Sequence, residues 1–291
     1  VTDRIQGLAV IFGLLILAFM ILTSIGGVGA LPALVPAGRM TVAGEHGFDL
    51  KMLEELLIPV CGTVVSVELI SRFLGARTGG VAVSGTLTGA GIYIAIGVIP
   101  VTLGLIGPSL LPGLANPEQL VPRLAETYMP RSLHIMFVGA IVSAILSTVH
   151  AALHAPASQV SHNIVVRLMP AISARGKLWS VRLTVMALSL VAYVLALKAE
   201  RIHDLVETAS AFGSAGVFVT TAFALYSRFG GPASAYASLS TGMGVWLIAH
   251  FWLGLDTPYL IALVSAILSY VGVALVLPGR PAPESQPAVE A

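Results

Sequence analysis

The stretch Ile5–Leu31 reads IQGLAVIFGLLILAFMILTSIGGVGAL, and no charged side chain interrupts it. A helix needs about 20 apolar residues to cross the hydrocarbon core of a bilayer, and this run exceeds that length. It is also longer than the apolar core of a signal peptide, which has about 7 to 15 residues. Strands of membrane β-barrels are shorter and alternate polar with apolar residues. The stretch therefore predicts a transmembrane helix.

The composition of the whole chain is also that of a membrane protein. Of its 291 residues, 56% are hydrophobic and only 10% are charged, whereas soluble domains carry about 25% charged residues. A water-soluble fold could not cover its surface with so few charges. The net charge of +1 gives no indication of nucleic-acid binding. Cys61 is the single cysteine, which excludes a disulfide within the chain.

Hydropathy along the chain predicts about eight spans, each near the length that a bilayer needs. Their approximate bounds are Ile5–Leu31, Leu53–Leu74, Val81–Ile106, Leu133–Gln159, Leu178–Leu197, Leu205–Phe229, Ala233–Leu253 and Pro258–Leu277. The tail, residues 278–291, is rich in Pro, Ala and Glu, a composition typical of disorder. The sequence thus predicts an all-α, polytopic integral membrane protein.

The distribution of basic residues predicts the orientation, because cytoplasmic loops carry more Lys and Arg than external loops. With the C-terminus inside, nine basic residues fall on the cytoplasmic side and six on the outside. The inside set is Arg4, Arg72, Arg77, Arg167, Arg175, Lys177, Arg182, Arg228 and Arg280. We therefore predict a multi-pass protein of the cell membrane with a cytoplasmic C-terminus.

The second span contains a helix-breaking stretch near its middle, Pro59-Val60-Cys61-Gly62. Proline removes a helix hydrogen bond and glycine loosens the backbone. Discontinuous helices at the midplane build the sites of many secondary transporters, but a simple proline kink is the alternative. Glu68 lies further along this span, and charge inside a membrane needs a cavity or a partner. Either it contacts a solute or a cation, or it pairs with Arg72 one turn later.

Two adjacent hydroxyls, Ser147 and Thr148, interrupt the fourth span. Together with the carbonyl of Ala144, one turn earlier, they offer neutral oxygens on one face of a helix. Hard cations bind oxygen ligands. The alternative is that the hydroxyls bond back to carbonyls of their own helix, as Ser and Thr often do in membranes.

Three histidines follow these hydroxyls, with His150 and His154 four residues apart and His162 two turns further. Histidines at this spacing share a helix face and could hold a metal ion. No Glu follows His150 as in the metalloprotease signature, and no Asp, Glu or Cys lies nearby in sequence. The spacing leaves a metal site open but favours a polar helix face.

The order of four motifs resembles the sodium:solute symporter family. The start of the chain, Thr2-Asp3-x-x-Gln6-Gly7, is similar to the start of that family's sixth helix. The run ISRFLGAR at Ile70–Arg77 resembles the I-Q-R-x-L-A-A-K stretch that ends the seventh helix, with Ser71 in place of the glutamine. Ala144-x-x-Ser147-Thr148 falls at the family's A-x-x-S-[ST] sodium motif, and Tyr226-Ser227-Arg228 resembles a helix end.

The resemblance implies a leucine-transporter-type fold, with about thirteen helices built on two inverted five-helix repeats. We expect residues 1–31 to be the last helix of the first repeat, and residues 53–229 to form the second repeat without its partners. Residues 233–277 would be two additional helices. The chain would then be a C-terminal part of the protein, without most of the first repeat and half of the sites.

The resemblance also implies which residues meet the coupling ion, sodium. Its ligands would include the carbonyl of Ala144 and the hydroxyls of Ser147 and Thr148, and Asp3 would lie on the inner cation pathway. An acid at the start of a helix also suits the helix dipole, so capping is the alternative for Asp3.

Two further residues are assigned to the substrate pathway by the same resemblance. Sugar-transporting relatives have an asparagine that contacts sugar where this chain has Ser66, and a gating tyrosine where it has Glu68. These departures argue against a sugar as the solute.

Together these features predict a transporter and not an enzyme: a sodium-coupled symporter of a small polar organic solute, working by alternating access. Its partners would be the solute, the sodium ion and the lipid bilayer, with no nucleic acid. One alternative is a membrane-embedded metalloprotein or metalloenzyme that uses the three histidines. The other is a non-transporting membrane sensor or assembly subunit.

Overall fold

The structure, a computed structural model, describes residues 2–36, 49–169, 171–198 and 201–277, without the side chains of residues 2, 3 and 68. Every regular element in these residues is helical, as the sequence predicts. The α-helices are α1 Thr2–Ile25, α2 Leu31–Leu34, α3 Leu50–Val64, α4 Val67–Leu74, α5 Gly79–Leu110, α6 Leu120–Tyr128, α7 Arg131–Val160, α8 Val166–Leu168, α9 Ala174–Lys198, α10 Ile202–Ala211, α11 Ser214–Tyr226, α12 Pro232–Leu247 and α13 Pro258–Val276. Two π-helical turns, Ser161–Val165 and Ile248–Trp252, follow α7 and α12.

Six helical segments are long and apolar enough to cross a membrane. They are Arg4–Ile25, Leu50–Leu74, Gly79–Leu110, Arg131–Leu168, Ala174–Lys198 and Pro258–Val276. A bend of 46° separates α10 from α11, which together would make a seventh span. The predicted span Ala233–Leu253 is helical, formed by α12 and the π-helical turn after it, but it is not among these six segments. The described residues thus contain six or seven candidate spans, where the sequence predicts about eight.

Caps and prolines at helix starts explain several of these boundaries. The Thr78 hydroxyl accepts a hydrogen bond from the Val81 N–H at 3.3 Å and so begins α5. Pro232 and Pro258 occupy the first positions of α12 and α13. Proline is favoured there because its missing N–H would have no partner within the helix.

The chain folds as two compact units. One comprises Val1–Gly47 and Ser71–Lys198, and the other comprises Phe48–Ile70 and Ala199–Ala291. These units do not follow the repeat segments that the family resemblance implies, and the assignment of those segments stays a prediction. The tail 278–291, predicted to be disordered, lies outside the described residues.

In the first unit, α1 packs against α5, α6 and α7, and α9 packs against α7. The buried residues at the centre of this packing include Leu17, Ile21, Ile106 and Leu124. Gly13 is required at the crossing of α1 and α7, because a Cβ atom there would collide with the ring of Phe137. Lipid tails are as apolar as these side chains, so close packing and not apolar burial favours the contact.

In the second unit, α11, α12 and α13 pack against one another, and α3 packs against α10, α11 and α13. The core residues include Cys61, Ala215, Trp246, Tyr259 and Ala262. Glycines bring α11 and α12 together. A Cβ atom on Gly216 would lie 2.7 Å from the Ser238 carbonyl oxygen, and one on Gly242 would lie 2.8 Å from the Gly216 nitrogen. Any larger residue would force these two backbones apart.

Candidate functional site

The three proposed sodium ligands lie in the middle of α7, in the first unit. Ala144 and Ser147 are half-buried, and Thr148 is exposed. The Thr148 hydroxyl donates a hydrogen bond to the Ala144 carbonyl oxygen at 3.0 Å. This is the bond within the helix that the sequence left open as the alternative. The same geometry places two oxygens close enough to share one cation once the hydroxyl turns its hydrogen away.

Ala144 and Thr148 line a groove between α7 and α1. The groove has a volume of about 380 Å³, and its other walls are apolar, with Val10 contributed by α1. Near the start of α1, the Gln6 side-chain nitrogen donates a hydrogen bond to the Ser143 hydroxyl at 2.6 Å. This bond fixes α1 beside the proposed sodium motif.

The break in the second span lies after the stretch Pro59–Gly62. Helix α3 continues through that stretch, which agrees with the alternative of a proline within a continuous helix and not with a break there. Helix α3 ends at Val64, and the Ser66 hydroxyl caps the start of α4 by accepting a hydrogen bond from the Leu69 N–H at 3.3 Å. A proline removes one hydrogen bond, which a continuous helix tolerates as a kink, whereas a serine cap supports a new helix start.

Among the residues assigned to the two pathways, only Ser66 has a described side chain. It is half-buried and serves as the cap of α4. Asp3 belongs to α1 and Glu68 to α4, but their side chains lie outside the described residues. The cation contact of Asp3 and the solute contact of Glu68 therefore stay predictions.

The three histidines do not form a metal site in the described part of the chain. The rings of His150 and His154 stack with their centroids 4.8 Å apart. His162 lies in the π-helical turn, where its Nδ1 is 3.4 Å from the Asn163 side-chain oxygen. No group of three or more His, Cys, Asp or Glu that could hold a metal occurs among the described residues. The metalloenzyme alternative thus has no support from this geometry.

A buried carboxylate that the sequence interpretation passed over lies near the start of α3. Glu54 is 4% exposed, and its two oxygens accept the N–H groups of Tyr259 at 3.1 Å and Leu260 at 3.0 Å. These N–H groups belong to the first turn of α13, where they have no partner within the helix. The negative charge also faces the positive end of the helix dipole. One side chain therefore joins α3 to α13.

The polar contacts continue from Glu54 along Tyr259. The Ser214 hydroxyl, at the start of α11, contacts the Tyr259 hydroxyl at 3.1 Å, and both side chains are buried. The sequence feature that could have indicated this buried acid is the pair Glu54 and Glu55 beside an apolar run. Sequence alone could not choose between them, because the choice depends on α13, some 200 residues away along the chain.

The family comparison agrees with the motifs. The model of the sodium:solute symporter family matches residues 1–240 of the chain. The sodium/pantothenate symporter of Haemophilus influenzae is 30% identical to it over 158 residues, which are 52% of this chain and 32% of that protein. The chain thus aligns with about a third of the length of this curated relative.

A solved structure agrees with the architecture. It is a Na⁺-coupled sialic acid symporter in a substrate-bound, outward-open state, and it matches 96% of this chain and 62% of its own with a TM-score of 0.72. At 18% identity the likeness shows a shared fold, and it confirms the predicted all-α, leucine-transporter-type class. The family model covers most of the chain and several of its helices can cross a membrane. The chain is a multi-pass membrane protein, and it belongs to the sodium:solute symporter family.

Proposed function

We propose that the protein containing this chain is a sodium-coupled symporter that carries a small polar organic solute across the cell membrane by alternating access. The family match over residues 1–240 is the observation that carries this proposal. Both relatives described above are named as sodium-coupled symporters. Coupling requires that sodium bind one state of the transporter better than the other, because a ligand shifts an equilibrium only through differential affinity.

The names of the relatives suggest the first solutes to test, which are pantothenate and sialic acid. Because sialic acid is a sugar acid and Ser66 and Glu68 argue against a sugar, pantothenate is the solute we favour of the two. Ser66 and Glu68 would face the solute pathway. A negative charge at Glu68 favours a solute with a hydrogen-bond donor or a positive charge near that position. In an uptake assay, Glu68→Gln should raise the solute concentration for half-maximal transport, whereas a partner of Arg72 alone would leave it unchanged.

For the sodium site we propose the carbonyl of Ala144 and the hydroxyls of Ser147 and Thr148, with Asp3 on the route from the cytoplasm. The assignment rests on the family's sodium motif, because the 3.0 Å contact between the Thr148 and Ala144 oxygens is one that other helical threonines also make, as Thr102 does with Val98. Neutral oxygens suit a monovalent ion that must bind and leave in every cycle. Replacing Asp3 by Asn should alter the sodium dependence of uptake, which a helix cap would not.

The decisive experiment is solute uptake as a function of sodium concentration. Ser147→Ala and Thr148→Ala should each raise the sodium concentration for half-maximal uptake about three- to tenfold, since a tenfold change corresponds to about 1.4 kcal/mol of lost affinity. Thr102→Ala is the matched control. Its hydroxyl bonds to the Val98 carbonyl at 2.7 Å in the same way, but on α5 and outside the motif.

Unchanged sodium dependence in both motif variants, or an equal shift in Thr102→Ala, would remove these hydroxyls from the site. Uptake that proceeds equally well when choline replaces sodium would contradict the proposed coupling itself. We also propose a cytoplasmic C-terminus, as the basic residues favour. An accessible tag on the C-terminus in sealed right-side-out cells would contradict that orientation.

A further inference from the structure

A groove with basic and apolar walls lies in the first unit, between the end of α7 and the start of α9. Its volume is about 540 Å³. Two basic side chains, His162 and Lys177, line it together with the apolar residues Val166, Leu178 and Val181. We call these five residues the basic groove. A pocket with both kinds of wall fits a ligand that is anionic at one end and apolar along the rest.

Local backbone structure holds the groove open. The π-helical turn Ser161–Val165 widens the end of α7. The buried Ser161 hydroxyl contacts the Ser180 hydroxyl of α9, and Ser180 also bonds to the Lys177 carbonyl oxygen at 2.8 Å. The two helices are thus joined at this point, and the basic groove lies beside it.

The charge around the basic groove is positive and unbalanced. No Asp or Glu occurs between residues 131 and 198. Arg167, Arg175 and Lys177 are exposed, and in the described part of the chain none of them pairs with an acid. Arg175 and Lys177 lie in the first turn of α9, where the positive end of the helix dipole disfavours cations. A bound anion would offset the repulsion among these basic side chains and their unfavourable interaction with the helix dipole.

Side chains near the groove are of the kinds found at the depth of the lipid headgroups. The guanidinium carbon of Arg182 lies 5.4 Å from the ring centroid of Trp179, and tryptophan is enriched at the membrane–water interface. Within the residues that the structure describes, no side chain in the apolar stretch of α9 is fully buried. Part of the surface of α9 beside the basic groove is therefore left uncovered by the described residues.

We propose that the basic groove binds an anionic phospholipid, with the phosphate against Lys177 and His162 and an acyl chain along Val166, Leu178 and Val181. Basic pockets between transmembrane helices bind anionic headgroups of this kind. The apolar wall explains why a lipid fits better than a free phosphate ion, which would leave that wall unused. The site is separate from the sodium motif, and the proposal does not depend on which solute is carried.

The test is lipid retention by the intact purified protein, measured by native mass spectrometry with phosphatidylglycerol and phosphatidylcholine offered at equal concentration. Phosphatidylglycerol should be retained preferentially. Lys177→Gln should lower that retention about fivefold, the change expected from about 1 kcal/mol for each basic residue near an anionic lipid. Lys177→Arg should restore it.

Two control variants each remove one positive charge from a helix that borders the groove, but at the end of that helix far from the groove. They are Arg131→Gln at the start of α7 and Lys198→Gln at the end of α9. Both should retain phosphatidylglycerol normally. Equal losses in the controls, or equal retention of the two lipids, would overturn the proposal. Val181→Trp fills the groove without a change of charge and should also release the lipid. If it does not, the groove is not the binding site, whatever the stability of the Lys177 variant.

Discussion

Helices α9 and α13 are both long and apolar enough to cross a membrane, but they differ in how much of their surface the other described helices bury. Counting only contacts among the described residues, none of the apolar stretch of α9 is buried, against 28% of that of α13. Helix α13 packs against α3, α11 and α12, whereas α9 packs mainly against α7 and the π-helical turn that follows it. Two spans of similar apolar character thus have different surroundings.

The residues at the contacts explain this difference. Helix α13 buries the small side chains of Ala262, Ala266 and Ala274, which allow neighbouring backbones to approach. Helix α9 instead exposes large apolar side chains such as Leu183 and Leu190. Because lipid is as apolar as leucine, small residues and hydrogen bonds decide where membrane helices meet. Hydropathy identifies a span, and small residues indicate which face of it meets protein.

The largest effect is expected at the start of α13. Glu54→Ala should lower the free energy of unfolding by about 3 to 6 kcal/mol, because it removes the acceptor of two hydrogen bonds and each bond to a charged group contributes about 1.5 to 3 kcal/mol. The shift can be measured as the thermal midpoint of the purified protein. Glu54→Gln, which keeps one acceptor oxygen, should lose less.

The neighbouring acid provides the control for this prediction. Glu55 is exposed, so Glu55→Ala should change stability by less than about 0.5 kcal/mol. Equal stability of the Glu54→Ala and Glu55→Ala proteins would show that the cap does not stabilise α13. Side-chain packing alone would then explain why α13 is more buried than α9.

A smaller effect is expected where α12 meets α11, within the packing around α13. Gly242→Ala places a Cβ atom 2.8 Å from the Gly216 backbone nitrogen, and such overpacking costs about 1 to 3 kcal/mol. Gly244→Ala on the same helix meets nothing within 4 Å and should be neutral or stabilising. A thermal midpoint of Gly242→Ala equal to that of Gly244→Ala would contradict the close crossing.

The smallest effect is expected on α9. Leu190 is 64% exposed, so Leu190→Ala should lower stability by less than about 0.5 kcal/mol, as surface substitutions usually do. The same thermal measurement applies. A loss of 2 kcal/mol or more, typical of a buried leucine, would mean that another part of the protein covers this surface of α9.

Several features of the fold could be predicted from the sequence because they depend on neighbouring residues. Apolar runs such as Ile5–Leu31 predict helices, since a bilayer leaves few other ways to satisfy the backbone. The motif order predicted the family, which the comparison over residues 1–240 confirms. The position of the helix break was not predictable from Pro59–Gly62 alone. It depends on where a side chain can cap a new helix, and Ser66 does so.

For the candidate site, the sequence could name the oxygens but not their surroundings. The spacing of Ala144 and Thr148 places them on one helix face, and their 3.0 Å contact follows from that spacing. That Val10 of α1 forms the opposite wall of the groove depends on how α1 crosses α7. That crossing depends in turn on Gly13 and Phe137, which lie more than a hundred residues apart in the chain.

The sequence by itself determined that this protein is an all-α membrane protein of the symporter family, because apolar run length and motif order do not depend on which residues meet in space. Only the tertiary structure decided that Glu54, and not Glu55, is the buried acid. It alone also placed Lys177 and His162 around one groove. The physical reason is that burial and hydrogen bonding depend on residues distant in the chain, which local composition does not specify.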